Sequence, residues 1–495
     1  MSGLTRRRFL EAGLTSPLAV AAAQAGKAAP GSISDREHAI KPTKGDDSVS
    51  KNVTRTLAQY VVRARYEDLP EKVRREGLRT LLNYVAVAVG GSGQDNVRIA
   101  MKALAPFAGP AQASILGRRE RFDILNAAFI NGVSSHIFDF DDTHLKTIIH
   151  PGGPVVSALL AWAEYRPVNG KDFLNALVLG VETCCRIGNA VYPNHYDVGW
   201  HITGTAGVFG AAAAVGKLAG LNEQQMIWAL GLAASQPVGL RESFGSMTKS
   251  FNPGRAAENG LFAALLAQDD YTSSDSMIEA KRGWANTVST KQDYREITQG
   301  LGERYEAALN TYKPFACGIV EHPSIDGVIQ LRNEFHIKAE QVDSIQLRVN
   351  PLVLELTGKK TPQTGLEGKF SIYHCASVAL IQGAAGEKQF QDAVVRDPQV
   401  IALRQKVAAG VDPGIVPEKA DITIRLRDGR VMHKFIEHAI GSVEAPMTDA
   451  QLEAKFLDLA DGILPAAQSR RLIDACWQVD RLDEAASIAR LAVPS

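Results

Sequence analysis

Residues Gly199 to Leu221 read GWHITGTAGVFGAAAAVGKLAGL, and this stretch decides the fold. From about Thr205 to Leu218 it is almost wholly Gly, Ala and Val, apolar on every side of a helix. Such a helix must be central, packed closely against its neighbours or against a partner chain. His201 lies just before it, where unpaired helix N–H groups are free to meet an anion.

Working outward, helices follow on both sides. LNEQQMIWALGLAASQ opens with Asn222 and Gln225 in capping-box spacing. RESFGSMTKSFNPGRAAENGLFAALLAQ places Lys249 in a loop and Arg255 in the first turn of another small-residue helix. A cation at a helix start opposes the dipole, which singles out Arg255. Towards the N-terminus, GPVVSALLAWAEYR and KDFLNALVLGVETCCRIGNAV are helices separated by Pro167–Gly170. ARYEDLPEKVRREGLRTLLNYVAVAVGG starts a helix at Pro70 and ends it at Gly90-Gly91. The chain is therefore helical from Thr54 to about Gln268.

Beyond Gln268 the texture changes. DSIQLRVN alternates Ile345, Leu347 and Val349 on one face, as a strand does. ADITIRLRDGRVMHKFIEHA reads as a hairpin with Asp428-Gly429 as a two-residue turn. From Thr448 the pattern is helical again. The expected architecture is mainly α: a large, discontinuous helical domain over 51–270 and 440–495, with a smaller α+β unit inserted at 271–439.

Composition narrows the function. Lys+Arg and Asp+Glu both total 54 in 495 residues, a zero balance that argues against nucleic acid as a partner. No apolar run approaches the roughly 20 residues that span a bilayer, so no membrane partner is expected. Thr5-Arg6-Arg7-Arg8-Phe9-Leu10, a weakly apolar run from Ala12 to Ala22, and Ala23-Gln24-Ala25 match a twin-arginine signal peptide over 1–26. A flexible lead-in over 27–50 follows, and the expected location is periplasmic. The five cysteines lack C-x-x-C spacing and read as small apolar core residues, with no zinc or iron–sulfur signature.

Chemistry concentrates in SHIFDFDDTHLKTIIHPGGP, Ser135 to Pro154, with three histidines and three aspartates. LNAAFINGVSSHIFDF before and into it reads as a helix. His136, Asp139 and Thr143, at i, i+3 and i+7, then share one face, with Asp141 pointing away and Asp142 at the margin. The helix must fail near Pro151-Gly152-Gly153-Pro154, leaving His150 on its exit loop. A solvated acidic helix end, a divalent-metal site and acid–base chemistry by Asp139 and His150 all fit this spacing.

Several blocks resemble the MmgE/PrpD family: HIFDFDDTH with HPGGPVVSALLA, GWHITGTAGVFGAAAAVGKLAGL, ALGLAASQPVGL, TKSFNPGRAAENGLFAALLA, YKPFACGIVEHPSID, GKFSIYHCASVAL and MTDAQLEAKF. They run in family order from about residue 54 to 460. The resemblance implies a helical domain with an α+β lid, a homodimer, a cleft between the domains, and no metal or organic cofactor. It carries functional roles onto Asp139, Thr143, His150, His201, Lys249, Lys313 and Tyr373. The chemistry implied is proton transfer beside a substrate carboxylate: His150 moves the proton and Asp139 orients or polarises it. Thr143, His201 and Tyr373 donate hydrogen bonds, while Lys249 and Lys313 hold carboxylates; Arg255, singled out by its position rather than by the resemblance, is a further substrate-binding candidate.

Two departures weaken a decarboxylase assignment. The decarboxylase branch has a histidine five residues after the lid lysine, where this chain has Gly318. The segment from Thr143 to His150 is also one residue longer, which leaves His144 as the rival to His150. The leading expectation is a cofactor-independent lyase dehydrating a small di- or tricarboxylate, in the manner of 2-methylcitrate dehydratase. Isomerisation or epimerisation, decarboxylation, and a non-catalytic carboxylate-binding protein are the alternatives.

Overall fold

Small residues set how closely the helices approach. In the computed structural model, which describes residues 51–495, the principal helices are α1 (Glu71–Gly91), α2 (Ile124–His136), α3 (Gly152–Tyr165), α4 (Gly170–Val191), α5 (Ile202–Leu218), α6 (Glu223–Ala234) and α7 (Thr248–Gln268). The signal peptide and the lead-in fall outside the described residues. α5 lies against α3, α4, α6 and α7, and its residues from Ile202 to Gly216 are all buried. Its apolar surface is thus covered within the chain.

Glycine is required where these helices cross. A Cβ on Gly210 of α5 would stand 2.7 Å from the Gly180 carbonyl of α4, and one on Gly180 would stand 2.8 Å from the Gly210 carbonyl. α2 and α7 meet in the same way, where a Cβ on Gly132 would come within 2.6 Å of the Gly254 Cα. Any side chain at these positions forces the backbones apart.

Beyond residue 320 the chain forms a small mixed sheet with helices against it and then a returning helix. The principal elements are α8 (His322–Phe335), β1 (Val342–Val349), α9 (Ile372–Gln382), β2 (Val407–Val411), β3 (Ala420–Leu426), β4 (Val431–Ile436) and α10 (Asp449–Ala460). Strand order is β2-β1-β3-β4. β1 pairs parallel with β2 (Ile345↔Val407) and antiparallel with β3 (Leu347↔Ile422), which pairs antiparallel with β4 (Ile424↔Met432). Alternate residues of β1 are buried, as their spacing requires. α8 packs against β3 and β4, α9 against β2, and α10 returns to α1. Among the described residues, no helix is long and apolar enough to cross a membrane.

Four local expectations are corrected. The hairpin turn is longer than two residues: Leu426 N–H donates to Arg430 O, and Gly429, at φ 90°, takes the left-handed position. α5 begins at Ile202 rather than Thr205, so His201 is its N-cap. Lys249 lies in the first turn of α7, not in a loop, and Arg255 is two turns further on, where it no longer opposes the dipole. The largest correction concerns α2, which ends at His136. Asp139 is left-handed at φ 51°, a conformation aspartate tolerates better than most residues. Thr143 lies in a two-stranded ladder, Asp142–His144 against Asn310–Tyr312. His136, Asp139 and Thr143 therefore share no helix face.

Candidate active site

The segment after α2 is shaped by lysines from distant parts of the chain. Lys369 Nζ donates to the Phe138 carbonyl at 2.8 Å, Lys313 Nζ to that of Asp139 at 3.1 Å, and Lys455 Nζ to that of Phe140 at 2.6 Å. Three successive carbonyls are each captured by a buried ammonium. They cannot accept from following N–H groups as a helix would require, and the turn results. Lys455 also donates to the Lys313 carbonyl at 2.9 Å. Burial lowers the Lys455 ammonium to about 7.

Within the turn, Asp139 is the charge centre. Its Oδ1 accepts from Lys313 Nζ at 2.6 Å and from Lys249 Nζ at 2.8 Å. Burial alone would raise this carboxyl, but the two lysines hold it well below the usual carboxylate range. Asp142, with fewer cations near it, goes the other way. Burial and then Asp141 push it up to about 7. It caps α3 through the Gly152 N–H at 2.9 Å and accepts from Asn310 Nδ2 at 2.7 Å.

Three histidine rings cluster here. His136 is centred 4.9 Å from His150 and 5.7 Å from His201. Burial lowers all three well below the ordinary imidazole range, so they are neutral at pH 7. Hydrogen bonds then assign their protons. His150 Nδ1 donates to the Asp142 carbonyl at 2.7 Å, with Thr143 Oγ1 at 3.2 Å and Asp141 Oδ1 at 3.4 Å, so the lone pair is on Nε2. Asn252 Nδ2 donates to His201 Nδ1 at 2.9 Å, so the His201 proton is on Nε2. One histidine thus presents a lone pair and the other a hydrogen-bond donor.

These groups line a narrow cleft. Asp139, His150, His201, Lys249, Lys313 and Gly318 face it, with Tyr196, Phe244, Thr357 and Phe370. Thr143 touches His150 from behind. Tyr373, in the first turn of α9, is buried but outside this lining. Arg255 is also outside it, 44% exposed in its side chain and paired with Glu258. His144 bonds Thr147 Oγ1 at 2.7 Å and Glu306 Oε2 at 3.1 Å, away from the cleft. His150 is the histidine that the one-residue insertion leaves facing the cleft.

His136, Asp141 and His150 offer atoms within 4.8 Å of one another, the ligand spacing of a metal ion. Lys249 already bears on His136 and Lys313 on His150, and their charge opposes a further cation there. Sequence reading turned Asp141 away from the site, whereas its carboxylate bonds His136 Nδ1 at 2.6 Å. It also overlooked Asn252, Lys369 and Lys455. All three lie in blocks that carry the resemblance, but nothing local says that they point inwards.

The fold and cleft define a mainly helical protein with neutral histidines beside fixed cations. The chain belongs to the MmgE/PrpD family: the MmgE/PrpD N-terminal domain matches residues 55–297 and the C-terminal domain residues 315–479. It is 27% identical over 459 residues to the cis-aconitate decarboxylase-like protein oryM of Aspergillus oryzae, covering 87% of this chain and 95% of that one. Human cis-aconitate decarboxylase is 25% identical over 463 residues, covering 89% and 94%. Similarity extends to 2-methylcitrate dehydratase of Salmonella typhimurium, 22% identical over 408 residues, covering 76% and 83%.

Proposed function

We propose that the protein is a cofactor-independent lyase that removes water from a small hydroxylated di- or tricarboxylate. The observation that carries this reading is the opposed protonation of His150 and His201 on one cleft. Dehydration needs a base at the carbon beside a carboxylate and an acid at the departing hydroxyl. His150 Nε2 suits the first role and, once protonated, can return that proton to the departing hydroxyl, which His201 Nε2–H suits to hold by a hydrogen bond. Lys249 suits the substrate carboxylate and Lys313, its three donors taken by Asp139 and Cys317, adds its charge; the carboxylate in turn offsets their depression of the His150 pKa and strengthens the base on binding. The developing enolate is stabilised by the same cations.

Decarboxylation is the second reading, favoured by the higher identity and wider coverage of the decarboxylase relatives. Gly318 counts against it, because that position presents no side chain to the cleft. We also propose, from the N-terminal pattern, that the protein is exported. The homodimer implied by the resemblance is retained, with the exposed Phe251 and Phe262 of α7 as surface for it to cover.

The test is an NMR panel of 2-methylcitrate, citrate, malate-like acids and cis-aconitate in D2O. Dehydration yields an alkene from a hydroxy acid. Carbon dioxide loss from cis-aconitate supports the second reading, deuterium exchange without product supports an epimerase, and binding alone supports a non-catalytic protein.

A further inference from the structure

The described residues hold a second group of ligand-type side chains behind the cleft wall. Cys317, Glu321 and Cys375 each offer a ligand atom, all within 4.8 Å of one another. All three residues are fully buried. Cys317 and Glu321 flank Gly318 on the stretch leading from Lys313 into α8, whereas Cys375 lies in the first turn of α9. His322, the first residue of α8 and 2% exposed, lies beside Cys317.

Two of these residues are unsatisfied. Neither carboxylate oxygen of Glu321 and neither ring nitrogen of His322 has an oxygen or nitrogen partner, and their polar neighbours are the Cys317 and Cys375 thiols. Buried polar groups without partners are rare, and a missing ion is one of the standard explanations. The donor chemistry is specific: two thiolates with a carboxylate and an imidazole suit a four-coordinate, borderline-soft ion. Zinc–sulfur bonds of about 2.3 Å put two thiolates roughly 3.8 Å apart on a tetrahedral ion, inside the spacing seen here.

We propose that Cys317, Glu321 and Cys375, with His322 adjoining Cys317 as the fourth candidate ligand, form a structural zinc site that staples the Lys313–Gly318 wall of the cleft to helix α9. The ion replaces the protons of both thiols and of the carboxyl group. It also fixes Lys313, whose Nζ donates to the Cys317 carbonyl at 3.2 Å. His322 lines a neighbouring apolar cleft with Ile319 and Val320, which gives the ion a path from the surface.

Zinc content of the full chain, purified from zinc-supplemented culture and gel-filtered, tests the proposal. The expected result is roughly one zinc per chain, reduced at least tenfold by Cys317→Ser or Cys375→Ser and unchanged by Cys476→Ser. Cobalt(II) added to the metal-stripped protein should produce a thiolate-to-cobalt absorption band, weakened in His322→Gln. Should a serine variant fail to fold, the wild-type cobalt spectrum decides alone. No thiolate band, a zinc-free wild type with five reactive thiols after denaturation, or a Cys317–Cys375 disulfide overturns the proposal.

Discussion

Helix α5 and the segment from His136 to His150 lie close together and are built on opposite principles. α5 packs by omitting side chains, so that neighbouring backbones touch, as at Gly180 and Gly210. The His136–His150 segment has little regular structure beyond one three-residue strand. Its shape comes from ammonium groups that arrive from residues 313, 369 and 455. The core is specified locally and fails through volume. The site is specified from afar and fails through charge.

Each of the following experiments presses on that contrast. The largest effect is expected for His150→Gln: turnover falls by at least ~10²-fold, the lower range for loss of acid–base catalysis, while substrate affinity and melting temperature change little. Lys313→Ala should come next. Losing a charge-assisted contact costs about 1.5–3 kcal/mol, roughly 10- to 150-fold in affinity, and here it also removes one of the two partners of Asp139. Steady-state kinetics with a wild-type Michaelis constant would sink the role of the Lys313 charge in holding the carboxylate.

A matched pair then separates the two regions. Gly210→Val should destabilise the fold by about 1–3 kcal/mol or more, read by denaturant midpoint, yet leave turnover per folded molecule intact. Lys455→Met should also destabilise, because it leaves buried carbonyls unpaired, but should in addition lower turnover per folded molecule. Releasing the Phe140 and Lys313 carbonyls misplaces the turn, and a 1 Å error can cost up to ~10²-fold in rate. Equal loss of stability and activity in both variants would abolish the distinction.

Protonation gives a smaller, graded effect. His136, His150 and His201 are depressed well below 6.5, and His195 and His374 to about 4, all chiefly by burial. Depressed histidines stay neutral in the fold, whereas the unfolded chain binds their protons below about 6.5. The histidines' contribution to stability should therefore be full above pH 6.5 and fall as pH drops towards 4, by about 1.4 kcal/mol per pH unit for each histidine. His150→Gln should reduce that slope by one proton. The smallest effect belongs to Arg255→Ala: an exposed pair with Glu258 is worth under about 1 kcal/mol, and kinetics should not change.

The same contrast explains what could be read from the sequence. α5 was legible because its composition admits no exposed face, and the capping box at Asn222 and Gln225 was legible because both residues are local. The end of α2 was not. SHIFDF continues a helical pattern, and only Lys313, Lys369 and Lys455 make it turn, from 174 to 315 residues away in the chain. Asp141 was assigned to the wrong side for that reason, since its direction was taken from a helix that does not extend so far. His201 and His150 were singled out by their positions and Lys249 was given its role by resemblance, while their convergence on Asp139 and one cleft is tertiary information. Cys317 and Cys375 read as core because nothing in the spacing of 58 positions brings their sulfurs together.

The most direct test follows the substrate carbon itself. A hydroxy acid that the wild type turns over is incubated in D2O with wild type or with His150→Gln, and NMR follows deuterium at the carbon beside the carboxylate together with product. The wild type should exchange or eliminate at that carbon, while His150→Gln binds the acid and does neither at a measurable rate. Exchange by His150→Gln at the wild-type rate would contradict the assignment of the proton to His150.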